Sequence, residues 1–184
     1  MGAAPELTTT LSTGTRLTLR PWKLAESDVA TVQAAARDHN IRRFSSVGLV
    51  RTRTDAAAWL SRLITSPNRI DWAVDSDGIT IGRVGLARIN YDDGDAEFAY
   101  WLFPPARGRG VASASVLTVT QWAFTSAGLG RLDIRHEPGN APSCALATRC
   151  GFPAEGLQRG AFTRAGRRYD LYVHARLVTD PPPA

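Results

Sequence analysis

Apolar positions recur along the chain with two different periods. From Thr15 to Arg20 polar and apolar side chains alternate, which is typical of a half-buried strand. Apolar residues three and four apart then predict two helices, one over residues 26–37 and one that follows Thr54-Asp55 and stops near residue 66. Residues 40–50, between these helices, are predicted to be a connection. The pattern therefore begins with one strand and two helices.

The remainder of the chain is predicted to be richer in strands. The elements are strands over residues 70–74, 79–89 and 96–103, a helix from residue 112 to about 127, a strand over 131–135, a helix over 140–150, and two strands around Ala165-Gly166-Arg167. This order predicts an α/β fold with one mixed, twisted sheet of about seven strands and helices on both faces. One domain is expected over residues 14–178, with a flexible arm at 1–13 and a proline-rich tail at 179–184.

Composition narrows the class of protein. The chain has 184 residues, 43% of them hydrophobic and 21% charged, as in an ordinary globular domain. The net charge of +5 suits an anionic ligand, but its arginines are not clustered as in nucleic-acid-binding proteins, so no nucleic acid is expected. No apolar run approaches about 18 residues, which predicts no membrane span. Cys144 and Cys150 stand six apart in one predicted helix and point to different faces, so we expect no disulfide, no metal site and a cytoplasmic location.

The stretch Arg107-Gly108-Arg109-Gly110 joins a predicted strand to a predicted helix. The first N–H groups of a helix have no partner within the helix, and with the helix dipole they attract phosphate groups. The turn lacks the Gly-Lys-Ser/Thr ending of a Walker site, and the strands before it do not form the βαβ unit of a dinucleotide fold. Taken alone, the turn is either a phosphate-binding site or a merely structural loop.

Three spaced motifs resemble the GNAT acetyltransferase superfamily, and the resemblance runs from about residue 13 to 177. The opening residues are similar to the branch of ribosomal-protein N-terminal acetyltransferases, those that modify alanine or serine. The motifs are Thr15–Pro21, Arg107-x-x-Gly110-x-Ala112, and Asn140-x-x-Ser143 followed by Gly151-Phe152 and Glu155-Gly156.

The resemblance implies a mostly antiparallel sheet with a splayed central strand pair, here residues 96–103 and 131–135. The pantetheine arm of acetyl-CoA would lie between these strands. Backbone groups of Leu102 and Phe103 would pair with its amides, the turn would take the pyrophosphate, Asn140 would bond to the arm, and Ser143 would lie near the sulfur. The implied cofactor-binding residues are Leu102, Phe103, Arg107, Gly108, Arg109, Gly110, Val111, Ala112, Asn140 and Ser143.

Transfer of an acetyl group to an amine needs a base that takes a proton from the amine and an acid that gives a proton to the departing thiolate. Glu97, on the strand beside the wedge, is the candidate general base; a solvated or structurally paired carboxylate is the alternative. Many superfamily members carry a tyrosine four residues before Gly-Phe, where this chain has Ala147. Ser143 is therefore the candidate acid, with helix capping or proton delivery by water as alternatives.

The predicted function is acetyl-CoA-dependent acetylation of a primary amine, first of all a protein or peptide N-terminal α-amine. A small amine (amino acid, polyamine or aminoglycoside-like antibiotic) and a CoA-binding module without turnover are the alternatives. An acidic acceptor cleft would favour a cationic small molecule. Arg42 and Arg43 are either solvated or together bind an acidic acceptor. A homodimer is implied by resemblance only.

Overall fold

The computed structural model describes residues 4–183. Within them the chain forms eight strands, five α-helices and two short 3-10 turns. The strands are β1 (Leu7–Thr10), β2 (Arg16–Pro21), β3 (Ile70–Ser76), β4 (Ile79–Asn90), β5 (Asp95–Leu102), β6 (Arg131–His136), β7 (Ala154–Arg164) and β8 (Arg167–Leu177). The helices are α1 (Glu26–Ala35), α2 (His39–Phe44), α3 (Arg53–Thr65), α4 (Val111–Thr125) and α5 (Ala141–Arg149), and the 3-10 turns are Ser46–Leu49 and Pro104–Ala106.

All strands belong to one sheet in the order β1-β2-β3-β4-β5-β6-β8-β7. Neighbouring strands are antiparallel except β5 and β6, which are parallel. The parallel pair is joined over only three positions, from Asp95 opposite Arg131 to Glu97 opposite Asp133. Beyond Glu97 the remaining residues of β5 have no partner on β6 among the described residues, so the two strands separate. The expected mostly antiparallel sheet with a splayed central pair is confirmed.

Helices cover both faces of the sheet, as predicted. On one face α4 and α5 bury Val116, Val119 and Leu146 in a cluster that includes Phe98 of β5. On the other face α1 and α3 pack against the side of β5 that carries Trp101. Because successive residues of a strand point to opposite faces, β5 contributes side chains to both cores. Packing on both faces fixes the position of the strand and therefore of its polar residues.

Two predictions about local structure are wrong. The arm at residues 1–13 was expected to be loose, but Leu7–Thr10 forms β1 on the open edge of β2. The Nε1 of Trp72 also donates to the carbonyl of Pro5 at 2.6 Å, so the arm is anchored by ladder hydrogen bonds and a buried indole. Residues 1–3, the start of that arm, and residue 184 of the tail lie outside the described residues. The expected connection over 40–50 contains α2, because Asp38 caps that helix by accepting from the Ile41 N–H at 2.8 Å.

Among residues 4–183 we find no helix with both the length and the apolar character needed to cross a bilayer.

Candidate active site

The turn between β5 and α4 is open at its backbone. Gly108 and Gly110 have φ angles of +71° and +79°, a left-handed conformation that favours glycine. Apart from the glycine itself and its two neighbours in the chain, no heavy atom of the described residues lies within 4 Å of the place where a Cβ would stand at either glycine. The helix α4, all of whose residues are described, starts without a side-chain cap and without an acidic residue in its first turn. Its first N–H groups are therefore accessible, and the site fits a pyrophosphate.

Arg107 braces the turn instead of contributing a free charge. Its Nε donates to the carbonyl of Leu102 at 3.0 Å, and its terminal nitrogen donates to the carboxylate of Asp38 at 2.9 Å. Its own backbone N–H donates to the Pro104 carbonyl at 3.1 Å. The Arg107 amide therefore already has a partner within the chain, and the amides of residues 108–112 are the stronger candidates as phosphate donors. The side chain of Arg109, in contrast, is exposed.

The end of β5 offers one of the two predicted pantetheine partners. Phe103 donates its N–H to the carbonyl of Ile81 and accepts at its own carbonyl from Ala106, both at 3.0 Å. Its N–H is therefore already bonded within the chain, which leaves Leu102 as the stronger candidate to pair with the pantetheine arm. Leu102 stands opposite Gly82, and the alternation of an antiparallel ladder turns its backbone groups away from β4, to the side on which β6 separates.

Glu97 lies where the sheet forks, because it is the last residue of β5 that pairs with β6. Its side chain is 22% exposed, and its Oε2 is 3.4 Å from Arg88 and 3.7 Å from Arg135. Among the described residues none hydrogen-bonds to that buried oxygen. Burial raises the pKa of Glu97 above its ordinary value, and the charges of Arg88 and Arg135 offset only part of that rise. A carboxylate with a raised pKa facing a cleft can accept a proton from an amine.

A bulge in β4 sets the environment of Glu97. The register between β4 and β5 is regular from Gly82 to Ala87 and resumes only at Asn90. Arg88 lies in this break with a φ angle of +52°, which is uncommon for a residue other than glycine. Bulges redirect side chains near functional sites, and this one brings the guanidinium of Arg88 to the carboxylate of Glu97.

At the start of α5 the predicted residues have structural bonds as well. The Asn140 side-chain oxygen caps the helix by accepting from the Ser143 N–H at 3.4 Å, and this cap does not use the side-chain nitrogen. Ser143 is buried, and its side chain is close enough to Tyr100 of β5 to affect the pKa of that phenol. Burial raises the pKa of Tyr100 to about 12, although the nearby Ser143 hydroxyl acts in the opposite direction. Ala147 is fully buried in the core, so no side chain from its position reaches the wedge.

Tyr100 is a candidate that the sequence interpretation missed. It stands within the apolar run before the turn, where it is indistinguishable from a core aromatic residue. Residues three apart in a strand point to opposite faces, so Tyr100 and Glu97 lie on opposite faces of β5. This relation identified Tyr100 as a candidate only after the strand had been placed in the structure.

A cleft of about 870 Å³ opens beside Glu97, and we call it the acceptor cleft. Its walls come from α2 and the 3-10 turn after it, the bulge of β4, the fork of β5 and β6, the start of α5, and the β7–β8 hairpin. Six arginines and two glutamates line it, together with Asn140 and His136. The charged residues are Arg42, Arg43, Arg51, Arg88, Arg135, Arg164, Glu97 and Glu137.

Comparison with known proteins agrees with this fold. The family described as the acetyltransferase (GNAT) domain matches residues 16–153. The uncharacterized N-acetyltransferase p20 of Bacillus licheniformis is 32% identical over 166 residues, which cover 88% of this chain and 93% of that protein. The chain belongs to the GNAT family.

Two solved structures show the same fold at low sequence identity. The ribosomal α-N-protein acetyltransferase RimL in complex with CoA has a TM-score of 0.79 and 20% identity, and covers 88% of this chain and 93% of its own. The microcin self-immunity acetyltransferase MccE, in complex with acetyl-CoA and AMP, has the same TM-score and identity, and covers 88% and 92%. The chain is thus an N-acetyltransferase of the GNAT family.

Proposed function

We propose that this enzyme acetylates the α-amine at the N terminus of a peptide or protein segment that carries acidic side chains. The observation that supports this proposal is the charge of the acceptor cleft, where six arginines face two glutamates. Glu97 lies close to Arg88 and Arg135, and Glu137 bonds to Arg164. Both acidic residues of the cleft are therefore already balanced by arginines.

The uncompensated positive charge lies at the mouth of the cleft. Arg42, Arg43 and Arg51 are exposed, and none of the three forms an ion pair with a carboxylate among the described residues. Arg51 instead donates to the carbonyl of Val50, and Arg43 stacks on Phe44 with 4.9 Å from the guanidinium carbon to the ring centre. A polyamine or aminoglycoside would be repelled here, whereas carboxylates downstream of a reactive amine would be attracted.

The family's chemistry can be assigned to residues of the site. Acetyl-CoA supplies an acyl group that is already activated as a thioester. The amides of residues 108–112 bind phosphate, and the Leu102 backbone orients the ligand in the wedge. Glu97 takes the proton that an ammonium must lose before it attacks, directly or through one water. Ser143 holds a proton at its Oγ on the opposite side of β5, the side that carries Tyr100.

The proposal is tested by thiol release from acetyl-CoA with a panel of acceptors. The panel holds peptides with a free N terminus followed by Asp and Glu, the same peptides with Lys in those positions, Nα-blocked acidic peptides, and spermidine. We expect turnover with the acidic peptides that have a free N terminus and a KM that rises with salt. Faster acetylation of spermidine or of the Lys-containing peptides would refute the proposal, as would turnover of the Nα-blocked peptides.

Charge removal at the cleft gives the second arm. In the double variant Arg42→Gln/Arg43→Gln the KM for an acidic peptide should rise about 2- to 30-fold, since each exposed ion pair contributes roughly 0.2–1 kcal/mol. The KM for acetyl-CoA should be unchanged. The double variant Arg159→Gln/Arg167→Gln is the matched control, because it also removes two exposed arginines but neither lines the cleft. An equal effect of the control on the peptide KM would show that net charge, and not the cleft, is responsible.

A further inference from the structure

Two histidines and a cysteine from three different elements meet below the acceptor cleft. His136 ends β6, His174 lies on β8, and Cys144 is in the first turn of α5. The two Nε2 atoms are 3.2 Å apart, and the Sγ of Cys144 is 3.9 Å from the Nε2 of His174. All three ligand atoms lie within 4.8 Å of one another. Both imidazole rings are buried, with 4% and 3% of their surface exposed.

The hydrogen bonds of the two rings fix where their protons lie. The Nδ1 of His136 contacts the carbonyl of Glu137, and the Nδ1 of His174 contacts the carbonyl of Phe152, both at 3.0 Å. A carbonyl only accepts, so each Nδ1 carries a proton and donates it. In neutral rings both Nε2 atoms then present lone pairs, and at 3.2 Å two lone pairs repel each other. A cation between the two nitrogens removes that repulsion.

Two of the three distances in the group match those of a tetrahedral zinc site. With a Zn–N length of about 2.05 Å, two nitrogen ligands stand about 3.3 Å apart, and with a Zn–S length of about 2.3 Å a nitrogen and a sulfur stand about 3.6 Å apart. The separation of 3.2 Å between the two Nε2 atoms and that of 3.9 Å between the Sγ of Cys144 and the Nε2 of His174 are within a few tenths of an ångström of these values. The Sγ of Cys144 lies within 4.8 Å of the Nε2 of His136, and a small movement of the cysteine side chain toward that ring completes the set. Histidines that bind metals also donate their second ring N–H to a carbonyl or carboxylate, as both rings do here.

We propose that His136, His174 and Cys144 form a binding site for Zn²⁺. Binding displaces the thiol proton of Cys144 to solvent, and the thiolate and the two neutral imidazoles supply three ligands. The described residues of the group offer three ligand atoms, so water completes the tetrahedron. His136 lines the acceptor cleft and Cys144 is partly exposed, which provides an entry path. The ion would tie β6 and β8 to the start of α5, the helix that positions Ser143.

Cobalt provides a direct test, because a Co²⁺–thiolate bond gives a charge-transfer band in the near ultraviolet that carboxylate or imidazole ligands alone do not give. The full-length protein is reduced, freed of metal with a chelator and titrated with Co²⁺, and Zn²⁺ is then added to displace it. We expect one equivalent to bind, with the thiolate band, release of about one proton, and complete displacement by Zn²⁺. Failure of the wild-type protein to bind Co²⁺ with that band would overturn the proposal and leave a shared proton between the rings.

The chain offers matched controls, since it has only two cysteines and three histidines. Cys144→Ser should abolish the band and weaken metal affinity at least about tenfold, and His174→Gln should weaken it similarly. Cys150→Ser and His39→Gln lie outside the cluster and should leave the titration unchanged. If His174→Gln does not fold, the Cys144 and Cys150 variants decide alone. A band that survives Cys144→Ser, or that is lost in Cys150→Ser, would overturn the proposed ligand set. The test does not depend on the identity of the acceptor.

Discussion

Replacement of Glu97 by glutamine tests the assignment of the general base. The change keeps the shape of the side chain and removes its ability to accept a proton. General base catalysis contributes about 10²- to 10⁴-fold to a rate. Two arginines lie near Oε2, at 3.4 and 3.7 Å, and they reduce the basicity that burial alone would give the carboxylate. We therefore expect the lower half of that range, a loss of about 10²- to 10³-fold in kcat/KM, equivalent to about 2.7–4 kcal/mol.

The same substitution separates catalysis from folding. Because burial raises the pKa of Glu97 in the folded protein, the folded state binds this proton more tightly than the unfolded chain does. As the pH rises from the pKa of Glu97 in the unfolded chain to its pKa in the folded protein, ionisation of this carboxylate lowers the free energy of unfolding. The loss of stability persists at higher pH. Glutamine carries no such cost, so the free energy of unfolding at neutral pH should be unchanged or higher in Glu97→Gln.

The assay is thiol release from acetyl-CoA with a saturating acceptor, together with urea unfolding of the same preparations. Glu155→Gln is the control, because Glu155 is 46% exposed, pairs with Arg131 and lies outside the acceptor cleft. The control should keep its full rate. A Glu97→Gln protein that retains more than about a tenth of the wild-type kcat/KM would refute the reasoning. A rate loss accompanied by a fall in stability would instead indicate a structural role.

Three further predictions concern the environment of the base, the cofactor turn and the acid. Arg88→Gln removes a charge that lowers the pKa of Glu97, so the pKa of Glu97 should rise further. The ascending limb of kcat/KM plotted against pH should then move to higher pH, while the plateau is retained. An ascending limb that does not move would contradict the coupling between Arg88 and Glu97. Gly110→Ala and Gly166→Ala place a methyl group at equally open, left-handed positions, so each should lower the free energy of unfolding by about 1–2 kcal/mol. Only Gly110→Ala should also weaken CoA binding in a calorimetric titration. The larger change Gly110→Trp should abolish that binding, and unchanged affinity would exclude the turn as the phosphate site. Ser143→Ala should lower kcat by about 10²-fold while the Kd for CoA stays constant, and an unchanged kcat would exclude Ser143 as the acid.

Much of the fold could be predicted because local patterns and global packing agree. The period-two and period-3.6 patterns located all the strands except β1, and all the helices except α2. Both omissions have a physical cause. The strand β1 has four residues, three of them threonine, and forms only because the edge of β2 is available to it. The helix α2 has six residues, too few for a clear period, and depends on its cap by Asp38.

The candidate site was predictable to the extent that its chemistry lies in contiguous segments. The turn over residues 107–112 and the motif from Asn140 to Ser143 could be read directly, because a helix start needs neighbouring residues of defined types. The role of Arg107 could not, since it depends on Asp38, which lies 69 positions away in the chain.

By itself the sequence determined the family and the candidate donor site: a strand, a glycine turn and a helix start are local features, and together they predict where acetyl-CoA would bind in an acetyltransferase of this family. Only the tertiary structure decided the rest. The raised pKa of Glu97, the excess of arginine in the acceptor cleft and the meeting of His136, His174 and Cys144 all depend on which distant segments are packed together. Electrostatic energy and metal coordination depend on distances in space, and these become defined only when the sheet has brought β4, β6, β8 and α5 around one point.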